Sequence, residues 1–174
     1  MISGRPERGE NADYAQADID WVAGDDIVAI LGRQIEETLA LLSTIDDARA
    51  GTLRYAPDKW TLKEVVGHLS DDERIFAYRA LCLARNDPRP LPGFEEKDYV
   101  RFASFQEQPF AELLDELRIV RQATIALARG LSRAALLRRG IVNGYDASVR
   151  GLLFHVAGHE LHHVRILREK YLGS

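Results

Sequence analysis

Apolar residues return every three or four positions along this chain in four long blocks, set apart by stretches rich in proline, glycine and charge. In the first block Ile27, Leu31, Ile35, Leu39 and Leu42 lie at helical spacing, with Asp25 or Asp26 as N-cap, which predicts a helix to about Ser43. The second opens on Trp60-Thr61-Leu62-Lys63-Glu64-Val65. Thr61 and Glu64 have capping-box spacing, and Trp60 can pack on Val65 as a hydrophobic staple. Its apolar face continues through Val66, Leu69, Phe76, Ala80 and Leu83 until Asn86-Asp87-Pro88 ends it. The third runs through Phe110, Leu113, Leu114, Leu117, Val120 and Leu127 to a stop at Gly130, and Ser132 to Arg139 reads as a short helical turn. Ser148 caps the fourth, whose buried stripe is Val149, Leu152, Leu153, Val156, Ile166 and Leu167, with Gly173 at the exit.

Between these blocks the pattern is weaker. Residues 86–104 hold Pro88, Pro90, Pro92 and Gly93 and read as a connection long enough to cross a bundle end to end. Asn143-Gly144 is a hairpin-turn signal, though with two flanking residues a side the hairpin is marginal. Residues 1–24 are polar and irregular and read as an arm ordered only by packing on the rest. The expected architecture is all-α: a four-helix bundle domain over residues 25–174 with long inter-helix connections, preceded by the arm.

A chain of 174 residues with 46% hydrophobic and 29% charged residues suits one globular domain. No apolar run approaches the ~18–20 residues of a membrane span, and the first residues lack a signal peptide's apolar stretch. One cysteine, Cys82, makes no internal disulfide, and its place near the end of the second helix suits packing. The expected address is the cytoplasm, with no membrane partner. A net charge of −4 argues against nucleic acid as the main partner. The charge is uneven: Arg129, Arg133, Arg138, Arg139 and Arg150 face only Asp146, which reads as a solvated basic edge or as a docking surface for an anionic substrate.

Of five histidines, His155, His159, His162 and His163 fall within nine residues of the last helix. Imidazoles four residues apart sit ~6 Å apart along a helix axis and ~40° around it, so they can grip one ion. His155 with His159, and His159 with His163, both satisfy this, and spacing alone does not choose between them. His68, on the second helix beside Val65 and Leu69, supplies the third imidazole of a site with open coordination positions. His159-Glu160-Leu161-His162-His163 also spells HExxH, the zinc-protease helix. Only eleven residues follow it, with Glu169 as the one acidic third ligand, so that reading is weak.

The segments KWTLKEVVGHLSDDERIFAYRAL and LLFHVAGHELHHVRILREKYL resemble the DinB-like or YfiT-like metalloproteins in a tryptophan before a capped helix, one early histidine in it, and GHxxHH in the last helix. The resemblance extends from about Ile27 to the end. It implies an up-down-down-up bundle, commonly a homodimer, and a zinc or nickel ion on His68, His159 and His163. Some members of that family join a low-molecular-weight thiol to an electrophile, and others look like metal-dependent hydrolases or isomerases. An ion on three neutral imidazoles serves either chemistry, because it can bind a thiol as thiolate or acidify water toward pKa ~7. The expected function is therefore thiol transfer in detoxification, with hydrolysis or a catalytically silent metal-binding module as alternatives. Asp72, one turn past His68, is a candidate to orient an imidazole or receive a proton, and Glu160 to reach the ion's water. His162, about 60° around the helix from His159, suits the rim.

Overall fold

The computed structural model describes residues 4–173; the first three residues of the expected arm, and Ser174, lie outside the described residues. In chain order the helices are α1 (Asp13–Trp21), α2 (Ile27–Leu42), α3 (Asp47–Thr52), α4 (Leu62–Ala84), α5 (Glu96–Phe102), α6 (Phe110–Arg129) and α7 (Arg133–Leu136). A hairpin of β1 (Arg139–Val142) and β2 (Tyr145–Ser148) follows, then α8 (Val149–Ile166), which runs on through a wider turn to Leu172.

The helix starts follow from local chemistry. Asp26 accepts from the amides of Val28 and Ala29. Thr61 and Glu64 form a complete capping box, in which the Glu64 carboxylate takes the Thr61 amide at 2.7 Å. Ser148 accepts from Gly151. Each satisfies amides that the first turn leaves without partners. Helix α4 ends where Asn86 turns into the left-handed region, at φ 62°.

Helices α2, α4, α6 and α8 form the bundle, and contacts between them give its topology. Gln34 reaches Ala157 and Thr38 reaches Glu160, so α2 and α8 run parallel. Lys63 meets the carbonyl of Gln108 and Arg74 meets Glu116, so α4 and α6 run parallel. Phe76 stacks on His155 while His68 meets His163, so α4 and α8 are antiparallel. The order is up-down-down-up. The parallel α4–α6 step requires the long 86–109 connection, which holds α5 and a bridge from Leu91 to Val142.

Three expectations change. The arm is not irregular: α1 lies along α8, where a Cβ on Gly158 would meet the Asp18 backbone at 2.8 Å, so only glycine allows that approach. Glu10 fastens the arm through Ser148, at 2.6 Å, and Arg150. The hairpin is longer than expected, four residues a strand, with Asn143 and Gly144 at positive φ in its turn. The basic stretch is largely taken up by the fold: Arg138 binds the carbonyl of Ala84, Arg139 pairs with Asp146, and Arg150 with Glu10. Arg129 and Arg133 stay exposed. Among the described residues no helix is long and apolar enough to cross a membrane.

The core is divided in two. One cluster centres on Leu31, Phe76, Leu83, Leu153 and Phe154, the other on Leu39, Leu62, Leu69, Leu113, Leu117 and Leu167. Between them every bundle helix turns a polar side chain inward: Gln34 and Thr38, His68, Asp72 and Glu73, Arg121, and His159 and Glu160.

Candidate metal centre

The polar layer contains two distinct assemblies. The first is a buried ion-pair network. Arg121, 1% exposed, donates to both oxygens of Glu73, with Nε–Oε1 at 2.8 Å and Nη2–Oε2 at 2.9 Å. Its Nη1 donates to Glu160 Oε2 at 2.7 Å, and Thr38 donates to Glu160 Oε1 at 2.6 Å. Burial opposes the guanidinium's charge, but Glu160 and Glu73 outweigh it and hold Arg121 above its ordinary range. Both oxygens of Glu160 are therefore engaged in architecture. Its neighbour in sequence, His159, lies about 100° round α8 from it and belongs to the second assembly.

The second assembly is a histidine triad. His68 Nε2 and His159 Nε2 are 3.1 Å apart, and His163 Nε2 and His159 Nε2 are 3.2 Å apart. One ligand atom from each of the three lies within 4.8 Å of the others. A tetrahedral ion with nitrogen ligands at ~2.0–2.1 Å holds those nitrogens ~3.3 Å apart, close to the spacing of His159 from each of the other two. Trp60 tilts over His68 at 4.8 Å between ring centres, backing the imidazole with an aromatic wall.

The electrostatics suit an ion as well. Burial pushes His68 down to about 4 and, with the neighbouring imidazoles, His163 to about 3 and His159 well below its usual value. All three rings are thus neutral at pH 7, the state that ligates. Asp72 Oδ2 is buried without a hydrogen bond, and His159 Nδ1 lies 3.2 Å from it outside hydrogen-bond geometry. That carboxylate favours the proton on Nδ1 and leaves the Nε2 lone pair facing the other two rings. Burial pushes Asp72 itself up to about 8, against the pull of Arg79, and a cation held on the adjacent imidazoles would favour the ionised form that accepts from Nδ1. Three convergent neutral imidazoles with an unsatisfied carboxylate behind one of them fit a divalent cation.

The remaining histidines sit elsewhere. His155 is buried flat on Phe76, 3.8 Å between ring centres, with Nε2 3.9 Å from Asp72. His162 is part-exposed, with Nδ1 3.1 Å from Asp18 of α1 and its ring stacked on Trp21. Cys82 is buried near the far end of α4.

Two cavities flank the triad. One, of about 410 Å³, is lined by Tyr14, Asp72, Phe76, Arg79, His155 and His159 among others. The other, of about 440 Å³, is lined by Trp60, Val65, His163, Ile166 and Tyr171 among others. Glu96 and Lys97, at the start of α5, line both. Arg79, Glu73 and Arg121 are buried polar residues that the sequence motifs do not include. For the two arginines a signal was present, since Arg79 follows Asp72 and Phe76 on one face of α4, and Arg121 interrupts the stripe of Leu113, Leu117 and Thr124 on α6.

The model of the DinB superfamily matches residues 30–167, and the chain belongs to that superfamily. No curated protein matches it. Among solved structures it is similar to YfiT from Bacillus subtilis, described as a probable metal-dependent hydrolase with an unusual four-helix bundle topology. The TM-score is 0.73 at 16% identity, over 96% of this chain and 91% of that one. It is also similar to a mycothiol-dependent maleylpyruvate isomerase, with a TM-score of 0.68 at 11% identity. That match covers 80% of this chain and 58% of the isomerase's.

Proposed function

We propose that the protein is a metal-dependent transferase that joins a low-molecular-weight thiol to an electrophile, using one zinc or nickel ion on His68, His159 and His163. The observation that carries this reading is the pair of cavities on either side of the triad, about 410 and 440 Å³, which share the edge formed by Glu96 and Lys97. Each is large enough for a small molecule. A transfer between two organic substrates uses both; a hydrolysis, whose second substrate is water, uses one.

When bound, the ion supplies a positive centre with an open position, at which a thiol is held as its thiolate. The chain's own part is positional. Asp72 favours one tautomer of the His159 ring, Trp60 backs the His68 imidazole, and Phe76 holds His155 in the wall of the adjoining cavity. The mycothiol dependence of one structural relative is in keeping with a thiol substrate, and the hydrolase description of the other names the alternative. The same reading takes residues 25–174 as one catalytic domain with the arm packed on it, acting in the cytoplasm as a homodimer.

The test is consumption of thiol by metal-loaded and chelated protein, with bacillithiol, mycothiol and glutathione each offered against a panel of electrophiles. Metal-dependent loss of both thiol and electrophile is the expected result. Metal-dependent turnover of an ester or amide without thiol would replace this reading with a hydrolase. No turnover of either kind would leave a metal-binding module.

A further inference from the structure

Arg79 is 3% exposed, yet no carboxylate of the described residues lies within ion-pairing distance of its guanidinium. Among those residues its side chain makes one hydrogen bond, from Nη2 to the carbonyl of Pro92 at 2.7 Å. Its faces are taken up by rings, with Phe76 at 4.7 Å and Phe94 at 5.6 Å from the guanidinium carbon. A buried cation without a counter-charge is costly, and buried charges in proteins are as a rule paired. A guanidinium carries five donors in a fixed fork. One of them is accounted for by Pro92, and the group lines the 410 Å³ cavity that reaches His159.

Among the described residues no other charge of that cavity forms an ion pair with it. Glu95, Glu96 and Lys97 are exposed at its mouth, where solvent and salt screen them. Asp72 attracts the guanidinium through space but lies beyond ion-pairing distance and faces His155 and His159. The rest of the lining includes the rings of Tyr14, Phe76 and Phe94. Along α4, Arg79 lies seven residues, roughly 10 Å, beyond Asp72. A ligand held at the arginine therefore extends along an aromatic wall toward the triad.

We infer that Arg79 is the anchor of a substrate subsite for a small carboxylate with a flat or aromatic body, the carboxylate paired with the guanidinium and the body pointing toward His159. This rests on the function proposed above and adds to it the class of one substrate, an acidic electrophile. The single planar fork between rings suits a monoanionic carboxylate, which it meets bidentately, better than a dianionic phosphate, for which the cavity holds no second buried cation.

The probes are benzoate, benzamide and phenylphosphate, titrated by calorimetry into metal-loaded protein and into its Arg79→Met and Arg79→Lys variants, each with its metal content measured. Benzoate should bind the unaltered protein at least about tenfold more tightly than the other two. Arg79→Met should weaken it about 10- to 100-fold with the metal retained, and Arg79→Lys should fall between, because a lysine keeps the charge and loses the fork. On unaltered protein, amide and ring signals of Tyr14, Phe94 and Asn143 should shift with benzoate in nuclear magnetic resonance, which requires no variant to fold. Benzoate affinity unmoved by Arg79→Met, an equal affinity for benzamide, tighter binding of phenylphosphate, or shifts confined to residues around His163 would each overturn the subsite. Thiol transfer can fail its own assay while these outcomes hold, so the two failures are separable.

Discussion

Replacing Glu160 with glutamine separates architecture from chemistry at the HExxH segment. In the folded protein Glu160 is 2% exposed and accepts from Arg121 at 2.7 Å and from Thr38 at 2.6 Å. Glutamine has the same shape. It can turn its carbonyl to Arg121 and its amide to the Thr38 hydroxyl, which then accepts, so only the ionic part of the interaction is lost. Hydrogen bonds to charged groups contribute about 1.5–3 kcal/mol and neutral ones about 1, and Glu73 still neutralises Arg121, so the loss is about 1–2 kcal/mol. For a chain of this length 1 kcal/mol moves Tm by roughly 2–4 °C, giving a fall of about 2–8 °C. Arg121→Met leaves the carboxylates of Glu73 and Glu160 facing each other without a cation and should cost about 3–5 kcal/mol. Thermal unfolding followed by circular dichroism, with elemental analysis of the same samples, measures both. Glu160→Gln should keep its metal and lose activity no further than its folded fraction falls. An unchanged Tm and bound metal with turnover down a hundredfold would refute this, and would make Glu160 a group of the reaction.

Two further outcomes test the site and the arm. Across the histidines, alanine at His68, His159 or His163 should each remove the metal, because two neutral imidazoles hold a divalent ion poorly, whereas His155→Ala and His162→Ala should keep it. Elemental analysis of the five folded variants checks this, and metal kept by His163→Ala but lost from His155→Ala would move the site one turn along α8. For Glu10, burial raises the carboxyl's pKa, but hydrogen bonds from Arg150 and Ser148 outweigh it and bring it from 4.5 down to about 2. A depressed folded value means stability that is present above pH ~4.5 and is lost as pH falls through about 2. Urea midpoints of the unaltered protein and Glu10→Gln should therefore converge over that window, and a constant gap across it would show that the carboxylate's ionisation does not hold the arm.

Much of the fold is legible in the order of residues because helix signals are local. The Thr61–Glu64 capping box, the Asp26 and Ser148 caps and the periodic stripes act within a few turns, so four long helices could be read before any contact was known. Asn143-Gly144 marked its turn by the same kind of rule, since its backbone conformation suits few other pairs. Helix α1 escaped that reading, because Ala15 and Ile19 are its only buried residues and two apolar positions do not make a stripe. It is helical where Gly158 of α8 lets its backbone approach and Gly151 admits the Glu10–Asn11 segment just before it, a condition met more than a hundred residues away.

The site divides along the same line. That the last helix is rich in histidine, and that His159 belongs to any pair of four-residue spacing on it, follows from sequence and helix geometry. Which neighbour completes the group depends on where His68 arrives. The antiparallel packing of α4 on α8 sets His68 opposite His159 and His163 and leaves His155 against Phe76. The arginines show the same dependence. The dense basic stretch from Arg129 to Arg150 is largely consumed by neighbours in the fold, while Arg121 and Arg79, each a single arginine on its helix face, are the ones enclosed. A residue's type and helical face are properties of the chain, but its burial and its counter-charge depend on other helices, and these convert an ordinary arginine into an ion-pair hub or an unpaired cation.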